Sequence, residues 1–179
     1  MTMRSETEVE VEEFLYAHGD VLLRFAFSLA LDHGLAQDLL QDALVRVIPK
    51  WNQIEPLARH QYIRTTMVRL NIRRWTKSLW RETQVEIKES DWIAEDGSRH
   101  VEARHMLIAE LRKLPRKQAT AITLRYTEGL SVSEAAELMG VEQGTIKSLC
   151  SRGLEQLKQN SNLQQLHSGI QFTTELAND

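Results

Sequence analysis

Leu130 to Lys158 reads LSVSEAAELMGVEQGTIKSLCSRGLEQLK, and its spacing decides the fold. Ser131 and Glu134 form an S-x-x-E capping box, a pair that satisfies two orphan amide donors and starts a short helix near Val132. Ala135, Ala136 and Met139 give that helix a buried side, with small residues where a second helix must cross closely. Gly140 permits the backbone reversal that a residue bearing a Cβ resists. Val141, Ile146, Leu149 and Leu157 carry the buried side into a longer second helix. Gln143, Lys147 and Ser151 are left four apart on one outward face, with Gly144, Ser148 and Arg152 beside them. A plain helical hairpin with a solvated face shares the apolar spacing. The placing of alanine, glycine and small polar residues favours a helix-turn-helix, whose second helix lies in the DNA major groove.

Working outward, the 179 residues can form one ordinary domain or two small ones, and three prolines and eight glycines favour an all-α reading. No stretch has the apolar length of a membrane span, and the acidic start MTMRSETEVEVEEF does not read as a signal peptide. The single Cys150 excludes an intrachain disulfide, suits a reducing cytoplasm, and falls near the buried side of the second helix. The net charge of −3 hides an asymmetry. Residues 1–60 carry five Lys/Arg against ten Asp/Glu, a net of −5. Residues 61–82 carry six against one, a net of +5, and residues 83–100 two against five, a net of −3. A basic segment bracketed by acidic ones is either a solvated helix face or a local footprint for nucleic acid.

In chain order, residues 6–32 read as two helices broken near Gly19, with Phe14, Leu15, Leu22, Leu23, Phe25, Leu29 and Leu31 as core. From there Leu35, Leu39, Ala43, Val47 and Trp51 form a helical stripe that Leu40, Leu44 and Ile48 widen, ended by Pro49. Its opposite face shows Gln37, Asp38, Gln41, Asp42, Val45 and Arg46. After a polar connection, a third helix is expected over about Gln61 to Trp80. Ile63, Met67 and Leu70 make one buried stripe, and Val68, Ile72, Trp75 and Leu79 a second; the exposed remainder is arginine-rich and includes Asn71. Trp75 and Trp80 can anchor a core, or, among these cations, can stack bases of a single strand.

Residues 83–100 are polar and weakly periodic, as a linker is. Helices are expected again from about Glu102, with a stripe of Leu107, Ile108, Leu111 and Leu114 stopped by Pro115. A further helix from Arg116 to Thr127 should bury Ala119, Ile122 and Tyr126 and end at Gly129. Beyond Lys158 the tail is polar, and fraying is expected. The chain shows no P-loop, no dinucleotide fingerprint, no H-E-x-x-H and no metal-ligand spacing among its six histidines, so the sequence points to neither an enzyme nor a cofactor or metal site.

AQDLLQDALVRV (Ala36 to Val47) followed by YIRTTMVRLNIRRWTKSLWRE (Tyr62 to Glu82) resembles domain two of the extracytoplasmic-function sigma factors of bacterial RNA polymerase. LPRKQATAITLRYTEGLSVSEAAELMGVEQGTIKS (Leu114 to Ser148) resembles their domain four, and RTTMV and WRE resemble a sigma-E-like subgroup common in actinobacteria. The resemblance implies two small helical domains, 1–82 and 102–158, joined by an acidic linker at 83–101 and followed by a polar tail at 159–179. It implies a cytoplasmic promoter-recognition factor without catalysis, whose partners are core RNA polymerase and promoter DNA; an anti-sigma protein is left open. A free-standing helix-turn-helix regulator would leave the domain-two stripe and the basic helix unexplained. A degenerate sigma-like protein that only sequesters a partner stays open through two departures from the family, at Arg69 and Leu149.

Carried onto this chain, the resemblance gives the polymerase clamp Asp38, Gln41, Asp42, Val45 and Arg46. It gives the opened minus-ten strand Arg64, Arg69, Asn71, Arg73, Arg74, Trp75, Lys77, Trp80 and Arg81, with either Arg69 or Asn71 meeting the base. It gives the minus-thirty-five duplex Gln143, Gly144, Thr145, Lys147, Ser148, Ser151 and Arg152. The DNA-facing charge is modest, so weak promoter binding is expected without polymerase.

Overall fold

Apolar residues at helical spacing draw Glu6–Ala30 into one continuous helix, α1, which buries Val11, Leu22, Phe25, Ala26, Leu29 and Ala30. The expected break near Gly19 does not occur. An interior glycine costs about 1 kcal/mol relative to alanine, and burying even one Leu or Phe offsets that by about 1.5–3 kcal/mol. The computed structural model describes residues 6–78 and 98–159, the side chains of 74–78 and 98–105 excepted. The linker from 83 to 97 and the tail beyond Gln159 therefore lie outside the described residues.

α1 stops at Leu31, which has φ 61°. Asp32 then caps the next helix, α2 (His33–Val47), its carboxylate accepting from the Leu35 amide at 2.9 Å. The buried stripe of α2 is Ala36, Leu39, Ala43 and Val47. Two expected core residues, Leu35 and Ile48, are instead exposed. The small side chain of Ala36 takes the inward position one residue on, which rotates Leu35 to the rim. Ile48 and Pro49 open a 3-10 segment (Ile48–Gln53) that carries Trp51 into the core. There Trp51 donates from Nε1 to Glu10 at 3.3 Å, meets Phe14 edge-on at 5.2 Å and lies 4.5 Å beneath the Arg59 guanidinium. A short turn, Pro56–Ala58, leads into α3 (Arg59–Ser78), which buries Ile63, Met67, Val68 and Leu70.

The rear half begins with α4 (Ser98–Lys113), a few residues earlier than expected. Leu111 and Leu114 are buried, but Leu107 is exposed: the cluster that takes Ile108, Leu111 and Leu114 stops short of it. α5 (Arg116–Ile122) runs on into a π-helical turn, Thr123–Thr127, where the Glu128 amide reaches back to the Thr123 carbonyl at 2.9 Å. Tyr126 is half-buried there. Gly129, at φ +65°, ends the turn. α6 (Val132–Met139) and α7 (Gln143–Gln159) complete the chain's described helices, and no strand occurs among the described residues.

The two halves are packed on one another. The larger apolar cluster runs from Phe25, Leu29, Met67 and Val68 of the front half into Ala121, Leu124, Ala135, Leu138 and Ile146 of the rear. A smaller cluster seats Leu31 of the front half among Leu111, Leu114, Ala119, Ile122 and Leu157. No single helix among the described residues is long and apolar enough to cross a membrane.

Candidate nucleic-acid interface

The turn between α6 and α7 is fixed by local chemistry. Ser131 Oγ accepts from the Glu134 amide at 3.2 Å, and the Glu134 carboxylate accepts from the Ser131 amide at 2.7 Å, so both arms of the capping box are made. These bonds from Ser131 hold the Glu134 carboxyl below its ordinary pKa. Gly140 adopts the left-handed conformation, φ 65° and ψ 41°, and the Val141 amide returns to the Ala136 carbonyl at 3.0 Å. Arg125 donates to the Leu130 carbonyl and so ties the preceding loop to the π turn.

α7 presses Ile146, Cys150, Gly153 and Leu157 inward. Gly153 marks a close crossing of α5 and α7: a Cβ would stand 2.6 Å from Ile122 Cδ1 and 3.3 Å from Gln118 Cβ, so both neighbours would have to shift to admit one. Burial pushes the Cys150 thiol up from its ordinary pKa, which suits a packing role better than a reactive one. Outward stand Gln143, Gly144, Thr145, Lys147, Ser151 and Arg152, all exposed. Ser148 is half-buried and donates to the Thr145 carbonyl at 2.9 Å. The seven residues expected to meet duplex DNA thus share one side of α7, with Ser148 partly engaged by its own backbone.

On α2, Asp38, Gln41 and Arg46 are exposed, Asp42 is half-buried, and Val45 stands out at 64% exposure. Leu35 and Ile48 are exposed on the same helix and its extension, so the apolar part of this face is larger than the sequence suggests.

α3 behaves differently. Arg69 and Arg73 are exposed, but Arg64 is half-buried, its guanidinium 4.1 Å over the Phe25 ring and 3.5 Å from the Glu128 carboxylate. Asn71, expected on the exposed face, is 3% exposed. Its position explains this: four after Met67 and three after Val68, it falls on the buried stripe rather than opposite it. Its Nδ2 donates to the Leu29 carbonyl at 3.2 Å and to Thr120 at 3.4 Å, and its Oδ1 accepts from Arg116 Nε at 3.2 Å and Nη2 at 2.5 Å. The side chains of Arg74, Trp75 and Lys77, and all of Trp80 and Arg81, lie outside the described residues. Two exposed apolar groups beside this helix escaped the sequence reading, Leu57 at 98% exposure and Tyr62. A turn residue and a helix-start residue carry no periodic signal that would have marked them.

A helix-turn-helix with a polar, cationic outer face, packed beside an arginine-rich helix, defines a DNA-binding protein of the transcription-factor class. The family model for sigma-70 region 4 matches residues 104–157. The chain is 32% identical over 152 residues to the RNA polymerase sigma-E factor of Streptomyces avermitilis, covering 84% of this chain and 84% of that protein. It is 33% identical over 153 residues to the Streptomyces coelicolor sigma-E factor, covering 84% and 85%. Among solved structures it is similar to the sigma factor RpoE of Bartonella quintana in complex with the anti-sigma factor NepR, at 26% identity and TM-score 0.58, over 84% of this chain and 95% of that one. CnrH in complex with the cytosolic domain of CnrY shares the fold at TM-score 0.53 over 89% and 88%. The chain belongs to the extracytoplasmic-function RNA polymerase sigma factors, in the sigma-E-like subgroup. It is accordingly a transcription initiation factor and not an enzyme.

Proposed function

We propose that the chain binds core RNA polymerase, directs it to specific promoters and helps open the minus-ten region. The observation that carries this reading is the outer face of α7, where Gln143, Lys147, Ser151 and Arg152 stand exposed behind a capping box and a left-handed glycine that fix the helix's entry angle. Such a face suits the major groove: glutamine, serine and the cations offer donors to base edges and phosphates, and Gly144 and Thr145 leave room for close backbone approach. We assign this face to the minus-thirty-five element. The α2 face of Asp38, Gln41, Asp42, Val45 and Arg46 is assigned to the clamp of the polymerase's largest subunit, its apolar centre ringed by polar groups as in protein interfaces.

The arginine-rich α3 is assigned to the opened minus-ten strand, with Arg64, Arg69, Arg73, Arg74, Trp75, Lys77, Trp80 and Arg81 as its working set; Asn71, expected in this set, is buried with its side chain engaged inside the chain and is left out of it. Unstacking bases costs a few kcal/mol, so the captured strand must be repaid with charge and stacking surfaces. Of the two candidates for the base contact we choose Arg69, which is exposed where Asn71 is buried. Tyr62 and Leu57 add exposed apolar surface beside it. We assign residues 1–82 to domain two, 83–101 to the linker and 102–158 to domain four, and place the protein in the cytoplasm, where polymerase and chromosome are met. An anti-sigma protein is a further proposed partner, since the similar sigma factor RpoE is held in its structure by the anti-sigma factor NepR.

Run-off transcription with core polymerase over a genomic fragment library tests the reading, with initiation at a defined subset of fragments as the expected result. Arg64→Ala or Arg73→Ala should then impair strand opening more than recruitment. Failure of a stably assembled holoenzyme to initiate on any template would overturn it.

A further inference from the structure

We infer that Glu10 of α1 is a positioning residue for strand opening: through Trp51 and Arg59 it holds the turn before α3 so that Leu57 stands out as a wedge for the first base step to open. This rests on the assignment of α3 to the opened strand, and it gives a task to a helix and a side chain outside that working set. One carboxylate oxygen of Glu10 accepts from Trp51 Nε1 at 3.3 Å and pairs with Arg59 Nη1 at 3.0 Å. The Arg59 guanidinium lies 4.5 Å over the Trp51 ring, so the three groups close on one another. One turn earlier on α1, Thr7 Oγ1 accepts from Asn52 Nδ2 at 3.1 Å. On the far side of the turn, His60 meets His18 of α1 at 5.7 Å between ring centroids.

α1 thus ties down Trp51 and Asn52 before the turn and Arg59 and His60 after it. Between these anchors the short turn Pro56–Ala58 carries Leu57 with 98% of its surface exposed. Packing gives no reason for this leucine, since almost none of it touches the rest of the chain. Its placing suits insertion: leucine and other apolar side chains pushed between neighbouring bases unstack them, while cations nearby hold the backbone. Arg69 and Arg73, both exposed, follow on α3. From Arg59 to Arg69 the helix rises about 15 Å, the length of about four stacked bases at roughly 3.4 Å each. A wedge at the start of the helix and cations farther along it can therefore serve one strand.

Glu10 is suited to positioning rather than to core packing. Its side chain is 46% exposed, so removing the carboxylate leaves no hole in the apolar cluster. Trp51 is kept in place by burial and by its edge-on contact with Phe14. Arg59 has less to hold it: its Nε is buried without a hydrogen-bond partner, and its seat depends on Glu10 and the indole face. Losing Glu10 therefore frees Arg59 and, two residues before it, Leu57, while the helices stay packed.

The test uses holoenzyme made with the full chain, on a promoter fragment taken from the run-off selection, with 2-aminopurine in the non-template minus-ten strand to report unstacking. Leu57→Ala is expected to slow opening about tenfold or more, with Leu57→Met close to the parent and binding to a template already mismatched open unchanged. Glu10→Ala is expected to slow opening severalfold in the parent chain and to add nothing in the Leu57→Ala background, because a positioning group is silent once the group it positions is gone. Equal slowing by Glu10→Ala in both backgrounds marks a merely structural role and overturns the inference. Opening at the parent rate by Leu57→Ala overturns it as well. Arg69→Ala, run alongside, checks the strand assignment separately: opening at the parent rate in that variant overturns the assignment of α3, whatever Leu57 does. If Glu10→Ala loses helix content, Glu10→Gln keeps an acceptor for Trp51 while giving up the charge on Arg59, and the same comparison of backgrounds decides.

Discussion

α7 and α3 are the two helices proposed to meet nucleic acid, and they differ in what fixes them. α7 is aimed by residues within thirty positions of its own: Ser131 and Glu134 cap α6, Gly140 turns the chain, and Ile146, Cys150 and Leu157 set which side faces out. The result is an exposed cationic face. α3 takes its orientation from partners far along the chain, with Asn71 bonded to Leu29, Thr120 and Arg116, and Arg64 lying over Phe25 and against Glu128. The result is a face partly spent on holding the molecule together. A surface built from local signals can be read from its own stretch of chain, whereas one built from long-range contacts is defined only once the fold is complete.

The largest expected effect would break the comparison at its root. Leu124 is fully buried in the cluster that both halves share, and the π turn bearing it packs against α1. Leu124→Ala should cost about 2–5 kcal/mol through lost burial and the cavity left behind. If the halves are one cooperative unit, helix content and tryptophan fluorescence will fall together in thermal melts, at a lower temperature than in the parent chain. Two separated transitions would show that the front half stands without the rear.

A smaller effect sharpens the other side of the contrast. Gly140→Val places a β-branched residue at φ 65°, where left-handed backbone costs about 1–2 kcal/mol for residues with a Cβ. No neighbour crowds the position closer than 4.0 Å, so the penalty is backbone strain rather than collision. Urea titration should show the lost stability, and holoenzyme recruitment to promoter duplex should fall with it, since the entry angle of α7 depends on this turn.

This division also explains what was legible in the sequence. The capping box, the left-handed glycine, the end of α2 at Pro49 and the exposed side of α7 are all read from residues within a few positions of one another. Gly19 misleads because its local penalty is outweighed by the tertiary burial of Leu22, Phe25 and Leu29. Leu35 and Ile48 mislead because a stripe drawn by spacing has no way to tell that Ala36 takes the inward place. Asn71 is the instructive case. Its spacing from Met67 and Val68 put it on the inner stripe, but a lone amide there looks out of place until Arg116 and Thr120 supply partners from 45 and 49 positions away. The π turn, which brings Glu128 to Arg64, leaves no signature in the pattern of apolar residues.

Removing the cap tests how local α6 is. Ser131→Ala deletes the acceptor for the Glu134 amide, and a lost helix cap costs about 1 kcal/mol. The same change should alter the acid response. Glu134 has a folded pKa held below its ordinary value, so its contribution is present above that ordinary value and lost as pH falls through the folded one. The parent chain should therefore lose part of its rear-half stability in mild acid, and Ser131→Ala, which removes the side-chain bond but keeps the backbone amide, should lose less of it; parallel acid titrations of the two would contradict the local account.

The smallest effect belongs to the front half. His60, at the start of α3, stands 5.7 Å from His18 of α1 by ring centroids, and burial, then the charge of Arg64, then His18 lower its pKa. A lowered histidine binds protons more readily in the unfolded chain than in the folded one. Its contribution is therefore complete above the ordinary value of about 6.5 and lost as pH falls through the lower folded value. Melting temperature should decline as pH drops below about 6.5, and His60→Gln should flatten that decline without changing stability above it. Glu128 lies 3.5 Å from Arg64 and offsets its charge, so Glu128→Gln should lower the His60 titration, followed by NMR, still further. An unchanged His60 titration in that variant would mean that the field of Arg64 at His60 is set by its seat on Phe25 and not by Glu128.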